Sequence, residues 1–436
     1  MKTITQSSLP IALNPEWSRA DFYYRAHQIS AQLQQDNIQS AALWFDDATY
    51  FACVLLACLK ANVRVLLPPN LVGDNQQWVA DNADFLFKDA DFANYGVDQK
   101  ITSDSPLVER GNLTEVWLKT SGSSGDAKIV VKTAEQLWQE AEIVAQILPF
   151  ATEQQVHLVS SVSVQHFYGL TYRVMLPLLR GWVIDRLQHT FPDSFLQHSR
   201  HFGKAIWITS PTFLTGLDIN RKDIQRDNLC GIVTSGGALA EVEAMKIAQK
   251  LNVPLIEGYG STETGVIAIR QSTEYWTTVP DVKIGVNEEG ALWVESYRVP
   301  QREQTADAVE FYPQGFLLLG RIDRIAKLGD KRISLIRIEQ DLMQHPWVSD
   351  CFIAPHIDHK HRPLAWVALS DEGMAEYQKQ GRKVLIRTLR QHLLTKQERF
   401  ALPRYWRFTD KLPRNSQSKI LRQDFEQICK IMTNKP

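Results

Sequence analysis

Apolar and polar positions follow two alternating periods along the first part of the chain. "SAALWF" and "VRVLLP" are short apolar runs that read as strands, and "TYFACVLLACLKAN" between them reads as a helix. "VHLVSSVS", "AIWITS" and "LCGIVTSGG" are further runs of the buried-strand type, each near a helical pattern such as "AEVEAMKIAQKLN". This alternation predicts an α/β fold of mainly parallel sheets flanked by helices. Glycine-rich turns follow several of the strands, where such folds place ligand sites.

After about residue 275 the pattern changes. "KIGVNEEGALWVES" predicts a hairpin around Glu289-Gly290, and "EFYPQGFLLLG" another around Gln314-Gly315. "RISLIRIEQDLMQH" runs from strand to helix, "VSDCFIAPHIDHKHRPLAWVALSD" reads as two strands joined by a loop, and "GRKVLIRTLRQHLLT" reads as a helix. The boundary falls near Arg321 to Arg324. That predicts a large N-terminal domain, 1–321, and a small α+β C-terminal domain, 322–436.

Composition narrows the function classes. The chain of 436 residues can hold two or three domains, and its net charge of −1 predicts no general attraction to nucleic acid or anionic membrane. Cys53, Cys58, Cys230, Cys351 and Cys429 are scattered without a CxxC pair. That argues against a disulfide scaffold or a cysteine zinc site and for a reducing compartment. The N-terminus "MKTITQSSLPIALNPEWS" lacks a signal-peptide apolar region, and the most apolar stretch, Phe51 to Leu59, stops at Lys60. A cytoplasmic protein without integral membrane association is expected.

Several stretches carry candidate chemistry. "LKTSGSSGDAKIVVKT", Leu118 to Thr133, sets glycines and hydroxyls beside a lysine. Such a run can surround phosphate oxygens with N–H groups, and it can equally be an exposed turn. "HFYGL" holds His166 beside aromatics, a pattern common in packed cores. "SGGALAE", Ser235 to Glu241, could let a flat ring lie against the backbone or simply open a helix. "EGYGSTETG", Glu257 to Gly265, brings a tyrosine, hydroxyls and Glu263 to a strand end, where a carboxylate oxygen could hold magnesium. "GRIDRIAKLGDKRISLIRIE" is by itself a charged turn leading into a strand.

In order, the chain shows TSGSSGDAK, HFYG, SGGA, GYGSTE, TAD, GRID and LPRNSQSK. This series resembles the adenylate-forming superfamily, which includes acyl-CoA synthetases, aryl-acid ligases, luciferases and nonribosomal adenylation domains. The resemblance runs from about Ala41 to Lys419. It implies that Thr120, Ser121, Gly122, Ser123, Ser124, Gly125 and Lys128 hold the β- and γ-phosphates of ATP. Lys128 follows Asp126-Ala127, unlike the lysine of a Walker A loop, which disfavours a kinase or ATPase. The same resemblance gives an adenine site at Gly236, Gly237, Ala238, Tyr259 and Gly260. Thr262 would contact the α-phosphate, Glu263 the Mg2+, and Asp307 with Arg321 the ribose. His166, Phe167 and Ser235 would line the acid site. Asp323 falls at the hinge of a mobile C-terminal domain, Lys327 at a lysine used in the second half-reaction, and Lys419 at the lysine bridging carboxylate and α-phosphate.

The implied activity is ATP-dependent ligation of a carboxylic acid, aryl or medium-chain, to a phosphopantetheine thiol of an acyl carrier protein or coenzyme A. The compact N-terminal domain, trimmed between about Asp84 and Val116, resembles small carrier-protein ligases. Asp330 and Ser418 stand where the family usually has glycine. The alternative is a nucleotide-binding scaffold that has lost catalysis, against which Lys419, Glu263 and Asp307 are all present. His356, His359 and His361 read as a polar loop rather than a metal site, and "GSSG" is not a nucleophile elbow.

Overall fold

In the computed structural model, residues 9–101, 106–120, 128–150, 156–322, 325–328, 331–358, 362–414, 420 and 422–430 are described. The chain forms two units: Met1–Lys283 with Val294–Glu303, and Ile284–Trp293 with Gln304–Pro436.

The first unit contains two large sheets. In one, the strands run Phe85–Phe87, Ser40–Leu43, Arg64–Leu67, Glu115–Thr120 and Lys128–Thr133; all pair parallel except the last. The other begins with the antiparallel strands Thr277–Thr278 and Gly265–Arg270. Four parallel strands follow: Leu255–Ser261, Leu229–Ser235, Ala205–Thr209 and His157–Ser160. Parallel strands are covered on both faces, so each is a nearly continuous apolar run rather than an alternating one.

The helix Ala48–Ala61 lies in the core beside the first sheet, with every residue from Phe51 to Leu59 buried. Its start is fixed by Asp47, whose Oδ1 accepts the N–H groups of Thr49 and Tyr50. Asn62 ends it in the left-handed conformation at φ 58°. The helix Ala134–Ile147 starts at a capping box in which Thr133 and Gln136 each bind the other's backbone N–H.

In the second unit the hairpin at Pro313-Gln314 pairs Tyr312 with Gly315, so the turn precedes Gly315 by a residue relative to the sequence reading. A three-stranded sheet of this unit orders Val348–Pro355, Pro363–Leu369 and Tyr405–Thr409, packed with the helices Leu335–Leu342 and Asp371–Leu394. The latter helix begins ten residues before the predicted "GRKVLIRTLRQHLLT" and is interrupted at Gly381 (φ 76°). The ten residues before it are mostly exposed or half-buried and polar, so only the segment beyond it carried a clear apolar pattern. Among the described residues no helix is long and apolar enough to cross a membrane.

Candidate active site

The site grows from the hairpin formed by Leu255–Ser261 and Gly265–Arg270. Its turn is tied by its own hydroxyls. Thr264 Oγ1 accepts the Ser261 N–H at 3.1 Å, and Ser261 Oγ accepts the Thr264 N–H at 3.2 Å. Thr264 is buried, so the turn is pinned from beneath, and Thr262 and Glu263 are left partly accessible. Two glycines are sterically required. A Cβ on Gly260 would lie 2.1 Å from the Gly265 carbonyl oxygen. Gly265 has φ +71°, and its Cβ would meet Glu140 Oε2 at 2.2 Å.

Beneath the turn lies a buried charge cluster that the sequence reading missed. Arg298 donates to both carboxylate oxygens of Asp281, at 2.8 and 2.9 Å, and to the Val266 carbonyl at 2.8 Å. It also pairs with Glu140, whose other oxygen accepts the Val266 N–H at 2.8 Å. Lys132 donates from Nζ to the main-chain oxygen of Glu263 at 2.6 Å. Burial lowers the Lys132 pKa to about 8, with Glu140 opposing the shift and Arg298 adding to it. Two cations and two carboxylates (Lys132, Arg298, Glu140, Asp281) make the cluster formally neutral, the condition under which buried charges are tolerated. One signal was legible: Lys132 occupies an inward-facing position of the strand Lys128–Thr133, where an apolar residue is the norm.

The turn contributes to a cavity of about 190 Å³ whose wall includes His166, Phe167, Ser235, Gly236, Tyr259, Gly260 and Thr262. These candidates come from three separate stretches of sequence. Glu140, Tyr168 and Tyr172 also line it. His166 is accessible at the wall but crowded on its protein side, and that desolvation lowers its pKa. Tyr168 places its hydroxyl 3.1 Å from the carbonyl oxygens of both Thr209 and Val233, which anchors the aromatic wall to the strand ends. Ser235 donates its hydroxyl to the Gly258 carbonyl at 2.8 Å. Gly237 and Ala238 follow in an exposed turn outside the cavity wall.

Lys128 and Glu263, remote in sequence, approach to 3.7 Å between Nζ and Oε1. Thr120 pairs with Lys128 across the two strands that flank the glycine-serine loop. Ser121, Gly122, Ser123, Ser124 and Gly125 of that loop lie outside the described residues, as do Asp323, Lys419, His359 and His361. Asp307 and Arg321 belong to the second unit, where they face each other across an antiparallel ladder. Lys327 lies on the strand Ile325–Leu328 of the same unit.

Comparison with known proteins agrees with this architecture. Residues 116–290 match the AMP-binding enzyme family and residues 337–419 the AMP-binding enzyme C-terminal domain. The 4-coumarate–CoA ligase of Cereibacter sphaeroides is 26% identical over 54% of this chain and 55% of its own length. The benzoate–CoA ligase of Thauera aromatica is 23% identical over 70% of this chain and 64% of its own. The chain thus spans about half to two thirds of the length of these relatives. Among solved structures, ATP-bound MatB from Rhodopseudomonas palustris superposes with a TM-score of 0.81 at 16% identity, over 98% of each chain. The anthranilate CoA ligase AuaEII in complex with anthranoyl-AMP gives 0.81 at 16% identity, over 98% of this chain and 95% of its own. The chain belongs to the adenylate-forming superfamily of AMP-binding enzymes.

Proposed function

We propose that the protein is an ATP-dependent carboxylic acid ligase that forms an acyl-adenylate and then a thioester. The observation that carries this reading is the approach of Lys128 to Glu263 beside a cavity with an aromatic wall and a glycine edge. A carboxylate is a poor electrophile, because it is anionic and its leaving group would be oxide. Its oxygen attacks the α-phosphorus of ATP, the bond from that phosphorus to the bridging oxygen breaks, and pyrophosphate departs. The product is a mixed anhydride with AMP as leaving group. Two anions must meet in this step. Their repulsion at 4 Å is about 1 kcal/mol in water and about 4 kcal/mol at an effective dielectric of 20. Positive charge at Lys128, and at Lys419 by family resemblance, offsets it.

Glu263 and Thr262 offer partly accessible oxygen donors of the kind a hard cation takes alongside water, so this pair fits Mg2+. When bound, the ion supplies charge neutralisation for the phosphates. Lys132 and the Ser261–Thr264 bonds hold Glu263 in place, and the cavity wall orients the acid. In the second half-reaction a phosphopantetheine thiol loses its proton, its sulfur bonds to the acyl carbon, and AMP leaves.

A cavity of about 190 Å³ bounded by His166, Phe167, Tyr168 and Tyr172 favours a compact aryl acid over an extended chain. It is smaller than the ~300–1,000 Å³ typical of drug-sized ligands. For the acceptor we favour an acyl carrier protein over coenzyme A, on the compactness of the N-terminal region. The test is ATP–pyrophosphate exchange across a panel of aryl and fatty acids. Acid-dependent exchange is expected, with Glu263→Ala slowing it by roughly 10²–10³-fold at unchanged circular dichroism. Wild-type exchange by that variant would overturn the assignment.

A further inference from the structure

A second cluster lies in the first unit and shares no residue with the cavity wall above. Asp185 follows the segment in which Val183 bridges to His157 at the edge strand His157–Ser160. His189 is fixed by its own N–H, which donates to the Ser160 carbonyl at 2.8 Å. His198 comes from the helix Pro192–Ser199. Among the described residues these form the one group of three histidine, cysteine or acidic side chains whose donor atoms all lie within 4.8 Å of one another.

Two of the atoms are buried without a hydrogen-bond partner: Asp185 Oδ2 and His189 Nε2. Their residues are only 7% and 6% exposed. Burial of that degree ordinarily demands a partner. They face each other at 3.3 Å. A charge-assisted N–H···O bond would be shorter, ~2.7–2.9 Å. The observed spacing is instead about the edge of a tetrahedron with bonds of ~2.0–2.1 Å, the length of zinc–imidazole and zinc–carboxylate bonds.

The surroundings have the form of a ligand shell. The other ring nitrogen of His189, Nδ1, lies 3.1 Å from Ser194 Oγ. A bond donated there leaves Nε2 with its lone pair toward Asp185, the arrangement usual for a metal-bound histidine. His198 Nε2 lies 2.8 Å from Asp185 Oδ1, and its ring stacks on that of His189 with centroids 4.2 Å apart. One divalent cation satisfies all three donors at once. Uptake replaces the present 2.8 Å hydrogen bond between His198 Nε2 and Asp185 Oδ1, freeing the His198 lone pair for the ion. The nearby cation Arg173 is directed elsewhere, donating to the main-chain oxygens of Val162 and Asp185 at 2.8 and 3.2 Å. The His198 side chain is 24% exposed, which gives an entry path.

We propose that Asp185, His189 and His198 bind a zinc-class divalent cation, with the fourth position left to water, tying the helix Pro192–Ser199 to the sheet edge. The set contains no cysteine, so the scattered thiols do not bear on it, and two imidazoles with one carboxylate suit Zn2+ or Co2+ better than Mg2+.

The test is titration of chelator-treated full-length protein with Co2+, read by visible absorption, followed by displacement with Zn2+ and by melting with and without Zn2+. One equivalent of tetrahedral Co2+ signal is expected, together with a rise in Tm on adding Zn2+. Both should be lost in His198→Gln, chosen because the side chain is partly exposed and its loss leaves the core packed. Ser194→Ala should weaken metal binding about 10–100-fold while keeping the band shape. Glu263→Ala should leave the signal unchanged, which separates this site from the nucleotide site. Absence of a saturable tetrahedral signal in the wild type, or an equal signal in His198→Gln, overturns the proposal.

Discussion

Lys132 shows how one residue records the demands of the site. A lysine at an inward strand position is unfavourable unless something inside needs its charge, and here it holds the main-chain oxygen of Glu263. Folding lowers its pKa from the usual 10.5 to about 8. Between those pH values the unfolded chain keeps a proton that the folded chain gives up, so stability rises with pH across that window. Below pH ~8 the penalty is constant, and above pH ~10.5 it is gone. We predict that Lys132→Met abolishes this rise. Urea unfolding at pH 7.5, 8.5 and 9.5 should show wild type gaining about 2 kcal/mol on the variant between the first and last pH, at ~1.4 kcal/mol per pKa unit. Parallel pH dependences for the two proteins would mean that Lys132 titrates normally.

At the scale of the element, the Leu255–Arg270 hairpin is a rigid carrier for Thr262 and Glu263, and its glycines differ in what they tolerate. Gly265 combines a positive φ with a site already filled by Glu140 and Arg298. Gly236 has φ +84° but open space around it, and the nearest neighbour to a Cβ on Gly237 is Pro211 at an ordinary 3.6 Å. Alanine substitutions should therefore rank by loss of Tm: Gly265 most, Gly236 next by about 1–3 kcal/mol of backbone strain, Gly237 near wild type. Gly265→Ala should also abolish pyrophosphate exchange, because it displaces the turn that carries Glu263. Equal melting of all three variants would show that the turn adapts. The motif "GYGSTETG" was readable as a turn at a strand end, but its support was not. Glu140 and Arg298 are 158 residues apart and reach the turn from a helix and a later loop. No local pattern links them.

At the scale of the whole molecule, two half-reactions in one pocket should be separable by mutation. On the proposed reading, Lys419 serves while two anions meet and has little to do once an uncharged carbonyl faces a thiol. By resemblance Asp323 is the hinge, and a proline there fixes φ and hinders rotation. Lys419→Ala is expected to block adenylate formation yet still convert supplied acyl-adenylate to thioester, and Asp323→Pro to do the reverse. The two halves are assayed separately, with coenzyme A and with a phosphopantetheinylated carrier protein as acceptors. Equal loss of both halves in both variants would leave no role for domain rotation.

The sequence by itself determined the alternation of strands and helices, since each period is local, and the ordered motifs that announce an adenylate-forming enzyme. It named the types of residue proposed for a nucleotide site, because phosphate and adenine are met by glycines, hydroxyls and a lysine placed just after strands. Only the tertiary structure decided which distant charges lie beneath those motifs. Lys132, Glu140, Asp281 and Arg298 belong to separate elements and become one neutral cluster when a helix, a sheet and a loop converge. The same is true of Asp185, His189 and His198. Burial and the meeting of charges depend on packing across the chain, and residue order does not encode them locally.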